Sequence, residues 1–393
     1  MKARKLLMIP GPIEFEPEVM QSMAIPTPSH VDPVFIETFG HALELMREVW
    51  LCPSGQPFII AGSGTLAMDI AGSNLIEDGD NALVVSTGYF GERYAELLKR
   101  YGANVDMLQA PIGDIVPLDQ AEDQLKMKKY KLMTFTHVDT STAVLNDAKS
   151  FGKLGQKYNV LTILDGVCSV AGEEIRQEEW GIDVVLTASQ KAIGVPPGLA
   201  LLVASPKAME AYQNRKTPVG NYYCDWANWL PIMRAYESRN PSYFGTPAVN
   251  LIIALETSLK IILKEGIENR FNRHKNAGKA FRIAMKNLAL SMIPVSEKVS
   301  ANTLSAPYYP EGVNAGELLG GISKAGIIVA GGLLPEIKGN YFRVGHMGSV
   351  NRPDLLATVG AIESVLKNCN YSFETGSGLK ACQELLNEND FHY

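Results

Sequence analysis

Leu161-Thr162-Ile163-Leu164-Asp165-Gly166-Val167 and, one intervening stretch later, Asp183-Val184-Val185-Leu186-Thr187-Ala188-Ser189-Gln190-Lys191 decide the fold. Each is a short apolar run closed by a group that apolar surroundings penalise: the Asp165 carboxyl and the Lys191 amine. Runs of this length read as strands buried on both faces. Working outward, the same pattern predicts strands at Pro57–Ala61, Ala82–Ser86, Lys131–Thr136, Leu161–Leu164, Asp183–Thr187 and Leu199–Ala204. Amphipathic stretches such as Gly91–Tyr101 and Asp147–Tyr158 lie between them. Strands alternating with helices predict an α/β fold whose large domain is a doubly wound, mostly parallel sheet. Such sheets bind ligands beyond the carboxyl ends of their strands.

Downstream, a long helical pattern runs from Ala248 to about Leu288 and is interrupted near Gly266. It gives way to short strands at Thr303–Ala306, Ile327–Val329 and Tyr341–Val344 and a helix near Arg352–Asn368. The expected division is an N-terminal arm over residues 1–21, a large domain over 22–264 and a smaller C-terminal α/β domain over 265–393. The chain looks polar from about residue 370, and Gly376-Ser377-Gly378 reads as a linker. With 393 residues the chain is long enough for two cores.

Thirty-six Lys and Arg against 42 Asp and Glu give a net charge of −6, which argues against a general nucleic-acid binder. No window approaches about 18 uninterrupted apolar residues, so no membrane span is expected. Basic Met1-Lys2-Ala3-Arg4-Lys5 precedes an apolar run that stops at Pro10, too short for a signal peptide. Cytosol is the expected compartment, with mitochondrion and peroxisome as the alternatives. Five cysteines without a Cys-x-x-Cys read as reduced thiols. Six scattered histidines without His-Glu-x-x-His give a metal site no support.

Three segments carry chemistry. Ala61-Gly62-Ser63-Gly64-Thr65-Leu66-Ala67 follows a strand and opens a helix, where free N–H groups and the Ser63 and Thr65 hydroxyls suit an anion. It also matches Gly-x-Gly-x-x-Ala, but the next strand ends in Thr87-Gly88-Tyr89-Phe90, without the acid a dinucleotide ribose requires. A plain helix cap is the remaining alternative. Asp165, at the end of a buried strand, needs a partner such as a pyridinium nitrogen, or caps the next turn. Lys191, equally placed, is a desolvated nucleophile, or snorkels to solvent. The two are 26 residues apart with one crossover between them, so adjacent parallel strands present both to one crevice. An anion site, a buried acid and a buried amine together are what pyridoxal phosphate requires.

These segments, with Ile9-Pro10-Gly11-Pro12, Thr136-His137-Val138-Asp139-Thr140-Ser141-Thr142 and Arg343-Val344-Gly345, stand in the same order as in a known family. The chain resembles the class V, fold type I pyridoxal-phosphate aminotransferases from about Leu6 to Leu366. Within them it is most similar to the alanine–glyoxylate and serine–pyruvate aminotransferases, in a fungal-like version. The resemblance implies that Lys191 holds the cofactor and moves a proton, and that Asp165 keeps the ring nitrogen protonated. Val167 would lie under the ring and Phe90, where many relatives carry Trp, would stack above it. Thr140 would reach the ring hydroxyl. Ser63, Gly64, Thr65 and Gln190 would hold the phosphate, completed by Tyr243 and Thr246 of a second subunit in a homodimer. Arg343 would bind the substrate carboxylate, and Gly11 would line the entrance with backbone. The expected reaction is transfer from a small L-amino acid, alanine first, to glyoxylate. Serine–pyruvate, serine–glyoxylate and aminoethylphosphonate transfer are the alternatives within the family. Cysteine desulfuration needs a loop cysteine, for which Cys369 and Cys382 are poorly placed. His137 and His346 map near the site without a catalytic role.

Overall fold

The computed structural model describes residues 5–388. The apolar runs pair into one seven-stranded sheet. Its strands are β1 (Gln56–Ala61), β2 (Asn81–Ser86), β3 (Asn104–Gln109), β4 (Leu132–Thr136), β5 (Leu161–Asp165), β6 (Val184–Ala188) and β7 (Leu199–Ala204). They lie side by side in the order β1-β7-β6-β5-β4-β2-β3. The pairs from β6 through β3 are parallel. β7 runs antiparallel to both its neighbours, β6 and β1. Two reversals restore direction, so β1 points the same way as β5 and β6. The carboxyl ends of all three therefore open on one edge, as the sequence requires.

β3 was not expected. Its sequence, Asn-Val-Asp-Met-Leu-Gln, has no continuous apolar run, because it is an edge strand and only Leu108 is buried. Its place is set by parallel pairing with β2 along its whole length.

Helix α1 (Gly64–Leu75) follows β1, and α2 (Tyr89–Arg100) follows β2. Further on, α3 (Val249–Glu265) and α4 (Ile267–Asn287) are separated by Gly266 at φ +88°, a conformation that costs a glycine least. Glu265, Arg270 and Arg273 form a buried ion cluster at this joint. Arg270 also donates to the carbonyls of Ala171 and Ala192, so the joint is tied to the segment just after Lys191. One hydrophobic core, from Val19 to Ile262, fills both sides of the sheet. A second takes in Met8 and residues from Ala277 to Leu386. Phe342–Gly345, the strand that carries Arg343, crosses between Ala330–Gly331 and Leu304–Ser305.

The polar C-terminal stretch corrects the sequence reading. Ser377–Glu388 is a helix, α6, packed against α4 and against α5 (Arg352–Asn368). Gly378 belongs to a close contact rather than a linker: a Cβ there would lie 2.9 Å from Leu288. The buried Glu363 carboxylate accepts from the backbone N–H groups of Gly376 and Leu379, capping the helix start. Cys382, Leu385 and Leu386 enter the second core. The remainder of the expected tail, 389–393, lies outside the described residues. Among the described residues no helix is long and apolar enough to cross a membrane.

Candidate active site

The sheet edge gathers the predicted groups. Ser63 is the N-cap of α1, and its hydroxyl accepts from the Leu66 N–H. The absent side chain of Gly64 lets three strand ends meet: a Cβ there would stand 2.9 Å from Val167 and 3.3 Å from Ala188. Thus the turns after β1, β5 and β6 touch. Ser63 and Thr65 are exposed beside this contact. The Gln190 Oε1 is buried and finds no hydrogen-bond partner among the described residues.

Asp165 is 2% exposed and accepts one hydrogen bond, from the Val167 N–H at 3.0 Å. Burial pushes its carboxyl up to about 6; the Asp139 charge adds to this, while the Val167 N–H, Lys191 and Arg93 oppose it. Lys191 is 8% exposed, and its Nζ donates to the Pro10 carbonyl. Burial lowers its amine below the ordinary lysine range, with Arg343 acting in the same sense and the Cys168 and Asp165 charges opposing. Gly11 sits at φ +99°, and a Cβ on it would fall 2.6 Å from Lys191 Cδ and 3.1 Å from Nζ. Only glycine allows the backbone to lie against the amine here.

Arg343 enters from the other core. Its Nε donates to the Gly331 carbonyl at 2.9 Å and its Nη1 to the Thr140 carbonyl at 3.1 Å. Among the described residues it has no carboxylate within ion-pair distance. Thr140 is buried, and Phe90 stands edge-on to Tyr89 at 5.5 Å between ring centres. The structure therefore draws Gly11, Ser63, Gly64, Thr65, Phe90, Thr140, Asp165, Val167, Gln190, Lys191 and Arg343 around one edge. It leaves Tyr243 and Thr246 on the surface, Tyr243 at 63% exposure. His137 and His346 are buried, and desolvation pulls both down to about 3, so both are neutral at physiological pH.

Two residues here escaped the sequence reading. Asp139 is fully buried; its Oδ1 accepts from the Ser141 N–H and hydroxyl at 2.8 and 2.6 Å, and its Oδ2 from the Phe90 N–H at 3.1 Å. It fastens the loop after β4 to the start of α2. An Asp two residues before a Ser is an Asx-turn signal that points to it. Arg93 donates to Thr65 Oγ1 at 3.3 Å and to the Tyr89 hydroxyl at 3.1 Å. Its guanidinium lies 4.9 Å from the Tyr89 ring centre and 5.1 Å from that of Phe90. Its signal is an Arg three and four residues beyond two aromatics on one helix.

Comparison with known proteins gives this geometry a family. The model of the aminotransferase class-V family matches residues 35–334. Alanine–glyoxylate aminotransferase 1 of Saccharomyces cerevisiae is 38% identical over 361 residues, covering 88% of this chain and 93% of that one. Serine–glyoxylate aminotransferase of Arabidopsis thaliana is 30% identical, covering 98% and 95%. The crystal structure of ureidoglycine–glyoxylate aminotransferase from Bacillus subtilis superposes with a TM-score of 0.93 at 26% identity, covering 98% and 99%. The chain belongs to the class V aminotransferases, fold type I enzymes that move amino groups between amino acids and oxo acids with pyridoxal phosphate.

Proposed function

We propose that the protein transfers the amino group of a small L-amino acid, alanine foremost, to glyoxylate, giving pyruvate and glycine, and that it works as a homodimer. The carrying observation is Arg343: a guanidinium held by two backbone carbonyls, with no carboxylate within ion-pair distance among the described residues. A planar fork in that state fits the carboxylate shared by an amino acid and an oxo acid. Glyoxylate as acceptor is supported by the names of the three relatives, and alanine by the yeast enzyme among them. Backbone packed against Lys191 at Gly11 favours a small substrate side chain. Exposed Tyr243 and Thr246 suit groups that complete a neighbouring subunit's site.

The residues fit the cofactor. A buried carboxyl with a single N–H donor is costly alone, and a protonated ring nitrogen is the partner it lacks. Gly64, Val167 and Ala188 pack together where the ring would rest. N–H groups at the start of α1 suit a phosphate, to which the Gln190 side-chain NH2 would add a donor.

When bound, pyridoxal phosphate supplies an aldehyde that takes up the amino group and a protonated ring that draws electrons from Cα. Asp165 keeps the proton on the ring nitrogen. Arg343 fixes the substrate carboxylate so that the Cα hydrogen faces Lys191. Lys191 Nζ, whose neutral form burial favours, takes that proton and returns a proton to Cα in the reverse half. Phe90 and Val167 would cover the two ring faces and keep water off.

The test is glycine formation from glyoxylate with L-alanine, L-serine, L-aspartate or aminoethylphosphonate as donor, with Lys191→Ala as control. Alanine as the best donor by kcat/KM supports the assignment. A better rate with serine, aspartate or the phosphonate overturns the donor, and loss of the reaction with glyoxylate overturns the acceptor.

A further inference from the structure

We propose that Arg93 supplies the positive charge that balances the cofactor phosphate, acting through Thr65 and by its own field. The inference rests on reading Ser63-Gly64-Thr65 as the phosphate loop.

The argument begins with charge. A phosphate monoester carries about −1.5 to −2 at neutral pH. The groups proposed to hold it are Ser63, Gly64, Thr65 and Gln190, with Tyr243 and Thr246 of the partner subunit; all six are uncharged. The start of α1 contributes roughly half a positive charge. About one full charge is left without a counterpart.

Arg93 lies one turn into α2, and long helical side chains lean back toward the helix start. Its Nη1 reaches Thr65 Oγ1 at 3.3 Å. Because that oxygen accepts from Arg93, its own hydrogen is free to donate outward, into the loop. The guanidinium is half-buried over the rings of Tyr89 and Phe90, which fix its plane. No carboxylate among the described residues lies within ion-pair distance of it. Arg47, Arg176, Arg239 and Arg282, by contrast, each face one. An oriented and unpaired guanidinium beside an anion loop is a counter-charge in waiting. A purely structural Arg93, bracing Phe90, needs its stem and its plane but not its charge.

That difference gives the test. The full-length holoenzyme is stripped of cofactor and titrated with pyridoxal phosphate or with pyridoxal, which lacks the phosphate, following the visible absorbance. Arg93→Met is expected to weaken pyridoxal phosphate at least about tenfold, the loss of one charge-assisted contact. Pyridoxal is expected to change less than about twofold, since its aldehyde and ring contacts remain. Arg93→Lys should recover much of the loss, and the phosphorus NMR signal of bound cofactor should move in Arg93→Met. Equal weakening of both ligands, or of neither, overturns the proposal. Ser63→Ala separates it from its premise. Selective loss of pyridoxal phosphate in Ser63→Ala but not in Arg93→Met leaves the loop standing and overturns Arg93. No selective loss in either variant overturns both.

Discussion

Replacing Asp165 by Asn should make the cofactor-free protein more stable and the enzyme nearly inert. Burial raises the Asp165 carboxyl to about 6, against about 3.9 in an unfolded chain. Below about pH 4 both states hold the proton and the residue contributes nothing to the difference. Between about 4 and 6 the unfolded chain has released its proton while the folded chain retains it, so stability falls as pH rises. Above 6 both are ionised and the cost is constant. At about 1.4 kcal/mol per pKa unit that cost is about 3 kcal/mol at pH 8 and about half of it at pH 5. Asparagine is isosteric, carries no charge and keeps an oxygen for the Val167 N–H. Urea unfolding of stripped wild-type and Asp165→Asn protein at the two pH values should show the variant ahead, by more at the higher pH. Adding pyridoxal phosphate should shrink or reverse the gap, because the ring nitrogen then partners the carboxylate. A variant less stable than wild type at pH 8 without cofactor would refute the claim that this carboxylate is uncompensated.

Arg343→Gln should raise KM for both the amino donor and the oxo acceptor by roughly a hundredfold, about 3 kcal/mol for a lost forked ion pair, with the cofactor's absorption unchanged. Asp139→Asn turns an amide toward the Phe90 N–H in place of an acceptor; about 2–4 kcal/mol of stability should go, read as a lower melting temperature with or without cofactor. In mixed dimers of Lys191→Ala and Tyr243→Ala chains, each nearly inactive alone, random pairing should restore about a quarter of wild-type activity if Tyr243 serves the opposite subunit. No recovery on mixing would place Tyr243 in its own chain's site.

The sheet and its reactive edge were legible because burial makes charge conspicuous. Asp165 and Lys191 end apolar runs, and Arg343 lies between Phe342 and Val344, so each needs a partner that the local sequence does not provide. β3 was hidden because an edge strand keeps only one side covered, and its polar residues break the run. α6 was hidden by composition: its buried positions, Gly378, Cys382, Leu385 and Leu386, have helical spacing but present little apolar bulk. Its start is capped by Glu363, a residue on another helix. Asp139 and Arg93 were hidden for a third reason. Their partners Phe90 and Thr65 are 49 and 28 residues away in the chain, and no local pattern encodes a contact of that span.

Asp139 and Asp165 show how the same side chain at the same depth takes opposite parts. Burial raises the pKa of both. Asp139 receives two bonds from Ser141 and one from Phe90, so its oxygens are answered from within the chain. It is a fastening, and what it fastens is the segment that presents Phe90. Asp165 receives one bond, from the Val167 N–H, and its second oxygen has no partner among the described residues. Arg343, held by two backbone carbonyls, likewise has no carboxylate within ion-pair distance among the described residues. These two incomplete groups answer two polar ends of the assembled reactants: ring nitrogen and substrate carboxylate. Their lack of partners costs the empty protein stability, and the same lack makes the site selective, because a ligand without one of those ends leaves a charge unmatched. Binding of the cofactor should therefore stabilise the fold by more than its contact area predicts, in proportion to the groups it completes.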